Sequence, residues 1–392
     1  MKRVFCCLLG ISLFISCGSK QPQIERTTED GVEVIVNHLE PYKLTGVPST
    51  LALEEIFTID TEREEIVKTG LTSMEWFCLD REGDIYLMMR RTSENFIYKF
   101  DAVGKFVKSF GRAGQGPGEF FRGGNILCDG AGRLIAKDMT KTKYFVFTPD
   151  GAFVEEVELG KYLEILKDLG NKTFLLFWQD RDPVNPVYRD HYGIGDPALR
   201  SNHEFYEYEF DDPQRSVRYV PSGSAIILGA SDENIFVGDS RSGYVIRVFD
   251  FSGKLVRKIR KDYRPVPLTD SYKNAVRKSQ ERRGTPGQEI LRKLSFPAHL
   301  PPFGYLFTDS EGRLFVMTNE HEGERSYWYD IFTKEGVFIG RCRLGNLQLD
   351  LFDGVPLHVE PLDAQVKDDR LYCLCEKDNG YIMLTVYRMK WS

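Results

Sequence analysis

His299 lies ten residues before Asp309, and His358 lies ten before Asp368. Counting back ten from Asp80, Asp129 and Asp232 reaches Gly70, Glu119 and Ser222. Imidazole and carboxylate suit zinc or a related divalent metal. Glu119, His299 and His358 are therefore a candidate metal set if the fold brings equivalent positions together. Arg122 and Ser222 join Glu119 as candidates for binding a ligand at the same place. The competing reading has each histidine hydrogen-bonding its own loop, because prolines crowd both: Pro297, Pro301 and Pro302 near the first, Pro356 and Pro361 near the second. Gly111, Gly114, Gly116 and Gly118 do not make a phosphate loop, since they match neither GxxxxGK[ST] nor a clean GxGxxG and run into a strand instead of opening a helix. No HExxH, GxSxG or CxxC pairing occurs, which leaves the familiar hydrolase, zinc-protease and zinc-finger routes without support.

Two stretches interrupt the regular pattern. Trp178 to Tyr208 mixes aromatics with Arg, Asp and Pro. Read as an insertion, it offers Trp178, Tyr188 and Tyr192 for stacking on a glycan or capping an apolar small molecule; read as scaffold, the same rings simply pack. Leu268 to Leu294 predicts a helical excursion, with Thr269 or Asp270 as cap and Tyr272, Ala275 and Val276 as an apolar stripe. Lys254 to Lys293 holds 13 Lys and Arg against four Asp and Glu, a local +9 in a chain of net charge −6. That asymmetry fits a solvated helix face, or contact with anionic headgroups or an acidic envelope protein.

The elements that must position these residues come from an internal repeat. WFCLDREGDIYLMMRRTSENFIYKFDAVGKFVKSFG from Trp76 is echoed from Ile126, Ile227 and Leu306: strand, Asp turn, strand, polar turn, strand, Gly-containing turn, strand. The runs alternate with a period of two, as in IYKF and YFVF. A four-stranded antiparallel unit of this kind is a propeller blade. The steps between Asp80, Asp129, Asp232, Asp309 and Asp368 allow six blades, with a degenerate third whose first two strands flank Gly170 and whose third lies near Phe205. The last blade reaches the C-terminus with three strands, so Glu54 to Asp60 is expected to supply its outer strand and close the ring. FDAVGKFVKSFGRAGQGPGEF, Phe100 to Phe120, resembles the NHL-repeat signature, and residues 32 to 392 resemble the six-bladed propeller lipoproteins of Bacteroides-type bacteria. The resemblance implies an all-β fold and an envelope location. The leading expectation for function is a non-catalytic binding module, and the rival is a metal-dependent lyase or lactone hydrolase centred on His299, His358 and Glu119 at the channel mouth.

The N-terminus reads MKRVFCCLLGISLFISC: two cations, a short apolar run, then a segment similar to a lipobox ending at Cys17. The run is shorter than the roughly 20 residues needed to cross a bilayer. Residues 1 to 16 are expected to be a signal peptide, Cys17 a lipidated residue holding the protein on a membrane, 17 to 31 a tether, and 32 to 392 the propeller. The expected location is the outer membrane, periplasmic face favoured because GSKQPQ lacks an acidic cluster; nucleic acid is not an expected partner. Cys78, Cys128, Cys342, Cys373 and Cys375 read as small buried hydrophobes. A Cys17→Ser variant is expected to accumulate as an unprocessed precursor without lipid, checked by metabolic labelling with a fatty acid; normal maturation would remove the lipoprotein reading.

Overall fold

The computed structural model describes residues 24–392 apart from 142, 159–162, 171–172, 183, 186, 196–201, 212–225, 283–287, 289–290, 322–325, 346–349, 353–354, 359–363 and 378. It is a six-bladed β-propeller. Blade 1 comprises Trp76–Leu79, Ile85–Met88, Asn95–Phe100 and Phe106–Arg112; blade 2 Gly123–Cys128, Leu134–Asp138, Lys143–Phe147 and Phe153–Glu158. Blade 3 comprises Leu163–Asp168, Phe174–Arg181, Val187–Gly195 and Asn202–Asp211; blade 4 Ile226–Ala230, Asn234–Asp239, Val245–Asp250 and Leu255–Lys261. Phe303–Thr308, Leu314–His321, Ser326–Phe332 and Phe338–Gly345 make blade 5. Blade 6 is Ala364–Lys367, Arg370–Glu376 and Ile382–Trp391, completed by Leu51–Asp60, which runs antiparallel to Ile382–Trp391 from Met383 opposite Asp60 to Trp391 opposite Leu51. The expected closure of the ring is thus present.

The middle strands of a blade are covered on both faces by neighbouring blades, so Ile85–Met88 and Leu134–Asp138 are buried throughout, while the outer Phe153–Glu158 is almost wholly exposed. The core is therefore divided. Six apolar clusters each span two blades, for example Phe77, Leu87 and Tyr98 against Tyr372, Leu374 and Leu384 between blades 1 and 6. Cys373 and Cys375 share the cluster between blades 5 and 6, and none of the five described cysteines is in a disulfide.

Two recurring turns set the blades. At the first, Asp129 accepts from the backbone of Ala131 and Arg133 and from Arg133 Nε at 2.8 Å, and Asp309 repeats this with Glu311 and Arg313. At the turn before the outer strand, Gly104, Gly151, Gly253 and Gly336 have φ of +83°, +80°, +80° and +87°. A Cβ on them would lie 2.5, 2.5, 2.7 and 2.7 Å from Phe57, Phe110, His203 and Ile259, all on the outer strand of the preceding blade.

Three stretches differ from the sequence reading. Glu25–Glu29, expected as tether, is a strand: it pairs with Val32–Asn37, which lies parallel to Leu255–Lys261 and extends blade 4 to six strands. It shows no apolar alternation because it is a solvent edge, and Glu29 and Glu33 take Lys258, Arg260 and Arg257 of the basic stretch as partners. Trp178 to Tyr208 is not an insertion but the second to fourth strands of blade 3, so the run around Phe205 is the fourth strand, not the third. Charged residues on its outer strands and the prolines of its long hairpin hide the period of two. The expected helix spans Asp270–Arg282, shorter than the excursion; Thr269 Oγ1 caps the Tyr272 amide, and Leu268, Tyr272 and Val276 pack on Leu294, Phe296 and Leu300.

From blade 4 the N-terminal segment crosses blade 5 to reach blade 6. Fully buried Asn37 donates to the Arg260 and Gly336 carbonyls and accepts from the Phe338 amide. Asn37→Ala would leave those buried groups unpaired, at about 1–3 kcal/mol for a lost partner. The expected loss is about 2–3 kcal/mol in urea unfolding; a change below about 0.5 kcal/mol would show that the staple contributes nothing.

Candidate functional site at one mouth of the channel

The first strands of neighbouring blades pack on one another, blade 1 on 2, 2 on 3, 4 on 5 and 5 on 6, so they line the axis. Among the described residues, two of those just before first strands lie at one mouth. Glu75 precedes the first strand of blade 1 and Arg122 that of blade 2, while Arg90 follows the antiparallel second strand of blade 1 to the same end. The Gly123 amide donates to the Arg90 carbonyl at 3.0 Å, and a Cβ on Gly123 would lie 2.0 Å from the Met89 carbonyl oxygen. Only glycine admits this crossing, which brings the backbone after Arg122 onto that of Arg90.

The Arg90 guanidinium lies 5.1 Å from the centre of the buried Trp76 ring. Glu75 Oε2 accepts from the Arg90 backbone amide at 2.8 Å and from Ser73 Oγ at 3.5 Å. Burial pushes the Glu75 carboxyl above its ordinary pKa, outweighing those hydrogen bonds and the Arg90 charge. Nε of Arg90 and Nε of Arg122 are buried with no hydrogen-bond partner, and among the described residues neither guanidinium forms an ion pair. Buried donors of this kind are uncommon. Among the described residues at this end, Arg90 and Arg122 stand with Glu75, whose carboxyl resists ionisation, and with buried Asp138, which accepts from the Phe121 amide and lies 3.7 Å from Lys141; the two unmet Nε donors are of a kind that suits an anionic group.

Of the sequence candidates, Arg122 is in this mouth. Glu119 lies close in the chain, but its carboxylate accepts from the Gly116 amide at 2.9 Å and from Arg112 at 3.3 Å, which closes the glycine turn over buried Phe120. His299 is exposed and bridges to Pro267, next to the helical excursion. His358 ends the short strand Val355–His358; its side chain, like Ser222, lies outside the described residues. Among the described residues no cluster of three metal-binding groups includes Glu119 or His299. Trp178 and Tyr192 are buried in blade 3, and Tyr188 is half-buried, stacked on Phe210 at 5.6 Å. Their packing follows the scaffold reading of these rings.

Sequence reasoning missed Glu75 and Arg90. The signal available was position: each is a charged residue at the end of an almost wholly apolar strand. A second cleft, between blades 4 and 5, is lined by Tyr244, Lys261, Arg264, Glu320 and Asp330; Asp330 Oδ1 and the neighbouring Arg341 Nε are buried without a hydrogen-bond partner, although the two residues form an ion pair. Lys261 and Arg341 pair with Asp330 at 3.3 and 2.8 Å, and Tyr244 donates to it at 2.8 Å.

A family model described as a 6-bladed beta-propeller, DUF5128, matches residues 78–212. Among solved structures, a DUF4221 family member from Bacteroides vulgatus aligns over 88% of this chain and 100% of its own at 13% identity and a TM-score of 0.51. A candidate exported protein from Bacteroides fragilis covers 91% of this chain and 99% of its own at 15% identity and a TM-score of 0.48. A gluconolactonase from Xanthomonas campestris covers 88% and 97% at 11% identity and a TM-score of 0.42. These likenesses concern the fold alone. No curated protein matches the sequence.

The raised pKa of Glu75 has a definite sign in stability. Its contribution is fully present below the unfolded-state value of about 4.3 and is lost as pH rises through the higher folded-state value. Glu75→Gln keeps an acceptor for the Arg90 amide but removes the titration, so the variant is expected to gain on the wild type as pH rises from about 4 to 7. Urea midpoints across that range check it, and a pH-independent difference would show that burial does not perturb Glu75.

Proposed function

We propose that the chain is a non-catalytic binding propeller of the cell envelope, held to a membrane through lipid on Cys17, that takes a ligand bearing an anionic group at the channel mouth. The observation that carries the reading is the pair of arginines at this mouth, Arg90 and Arg122, each with a buried Nε that has no hydrogen-bond partner. An unmet buried donor costs about 1–3 kcal/mol, and a carboxylate or phosphate oxygen would satisfy it. Buried Trp76 lies under the Arg90 guanidinium and helps to hold it in place.

The anchor fits the order of the chain. Eight residues lead from Cys17 to the start of the first strand at Glu25, a reach of at most about 28 Å. The propeller would stay close to the membrane, with the outer edge of blade 4 nearest the lipid. Among the described residues, no helix is long and apolar enough to cross a bilayer.

Thermal-shift titration with glucuronate, and with glucose as the neutral control, tests the ligand class. Glucuronate should protect the wild type and glucose should not. Arg122→Gln should weaken binding about 10- to 150-fold, the loss of one charge-assisted hydrogen bond of roughly 1.5–3 kcal/mol. Equal protection by the two sugars, or undiminished protection of the variant, would overturn the proposal.

A further inference from the structure

His191 is the only histidine among the described residues grouped with two other possible metal ligands, Glu204 and Glu207. It lies on the third strand of blade 3, and both glutamates lie on the fourth. Residues three apart on a strand ordinarily point to opposite faces. Here His191 is opposite Glu207, Tyr192 opposite Tyr206 and Gly193 opposite Glu204, so Phe205 is an extra residue in the outer strand. That bulge returns Glu204 to the face of Glu207, and both carboxylates turn toward one imidazole.

The imidazole is held firmly. His191 is only 7% exposed, and its ring stacks on buried Trp178 at 5.2 Å and an interplanar angle of 5°. The Trp178 ring reaches over Gly193, where a Cβ would lie 2.8 Å from it, so glycine leaves the space that the indole fills. Nδ1 lies 3.0 Å from Glu204 Oε2 and 3.7 Å from Glu207 Oε2; on the other side, Nε2 lies 3.4 Å from Asp180 Oδ2 and has no hydrogen-bond partner. Carboxylates therefore face both ring nitrogens. A neutral imidazole has one N–H, so one lone pair is left facing an anionic oxygen.

We infer that His191 Nδ1, Glu204 and Glu207 form a binding site for a zinc-type divalent cation, with the Asp180 carboxylate 3.4 Å behind the imidazole at Nε2, placed to take its proton in a hydrogen bond once the metal is bound. A cation between Nδ1 and the glutamates would exchange the single Nδ1–Glu204 hydrogen bond for three metal bonds, and a carboxylate behind a metal-bound histidine is the usual support for such a ligand. The dimensions fit. Zinc bonds of about 2.0–2.2 Å in a tetrahedron separate ligand atoms by about 3.3 Å, against the observed 3.0 and 3.7 Å, with all three donor atoms within 4.8 Å of one another. Nitrogen with two carboxylates favours zinc over calcium or magnesium. The Glu204 and Glu207 side chains are 42% and 45% exposed, which leaves the fourth position open to water or to a group on a ligand. Arg189 competes weakly: its Nε is 3.9 Å from Glu207 Oε1 while its guanidinium is engaged with Glu209 at 3.0 Å. The site lies on one blade, away from the channel mouth, and does not rest on the proposed anion binding.

The test uses the untagged mature protein, stripped with a chelator and titrated with Zn2+ alone by calorimetry. One equivalent should bind and raise the melting temperature. The near-isosteric double variant Glu204→Gln/Glu207→Gln should fold but lose binding at least tenfold, and Asp180→Asn should weaken it about 10- to 100-fold. Co2+ in place of zinc should give a visible ligand-field band that the double variant lacks. Arg122→Gln should bind zinc like the wild type, which separates this site from the channel mouth. Absence of zinc binding to the wild type, or equal binding by the folded double variant, would overturn the proposal.

Discussion

How closely one blade can lie on the next governs this molecule. At the turn before the outer strand, four blades bring a glycine with a left-handed backbone onto a side chain of the preceding blade: Gly104 on Phe57, Gly151 on Phe110, Gly253 on His203 and Phe205, Gly336 on Ile259. Any Cβ there would meet that side chain well inside van der Waals contact, and the backbone conformation disfavours one as well. At these four interfaces the contact sets how closely one blade lies on the next. In the closed ring the first strands pack on one another around the axis.

Closure makes the interfaces interdependent. Because each apolar cluster is shared between two blades, no blade owns a complete core. The N-terminal segment adds a second circumferential link. It is the outer layer of blade 4, staples blade 5 through Asn37 and completes blade 6, and its backbone passes so near Gly340 that a Cβ there would lie 2.3 Å from the Ser49 carbonyl. The acidic residues of this segment also neutralise the basic outer strand of blade 4, so the local excess of positive charge in the sequence is partly an internal ion-pair network.

What was legible in the sequence follows the same physics. Aspartates at the first turn and the pairing of the two chain ends could be read because each has a local signature: an Asx turn with glycine, and a blade one strand short. Blade 3 and the first hairpin were obscured because exposed outer strands need no apolar alternation, and a solvent edge such as Glu25–Glu29 is polar on both faces. Equal sequence offsets did not translate into equal surroundings. His299 follows an excursion that pairs its backbone with Pro267, whereas Glu119 belongs to a glycine turn that engages its carboxylate. Arg122 directly precedes an inner strand, where the register survives.

Convergence at the axis and divergence at the rim place different demands on a binding site. At the mouth, residues from separate blades meet without local distortion, and the requirement is a backbone crossing close enough to bring them together, which Gly123 permits. At the rim, neighbouring blades move apart, so a constellation must be built within one blade. Strict alternation limits the outer strand to residues two apart on each face. The bulge at Phe205 lifts that limit by bringing two glutamates three apart to the same face, opposite a histidine held by Trp178. The irregularity that hides blade 3 from a periodicity reading is therefore what assembles its imidazole and carboxylates into one site.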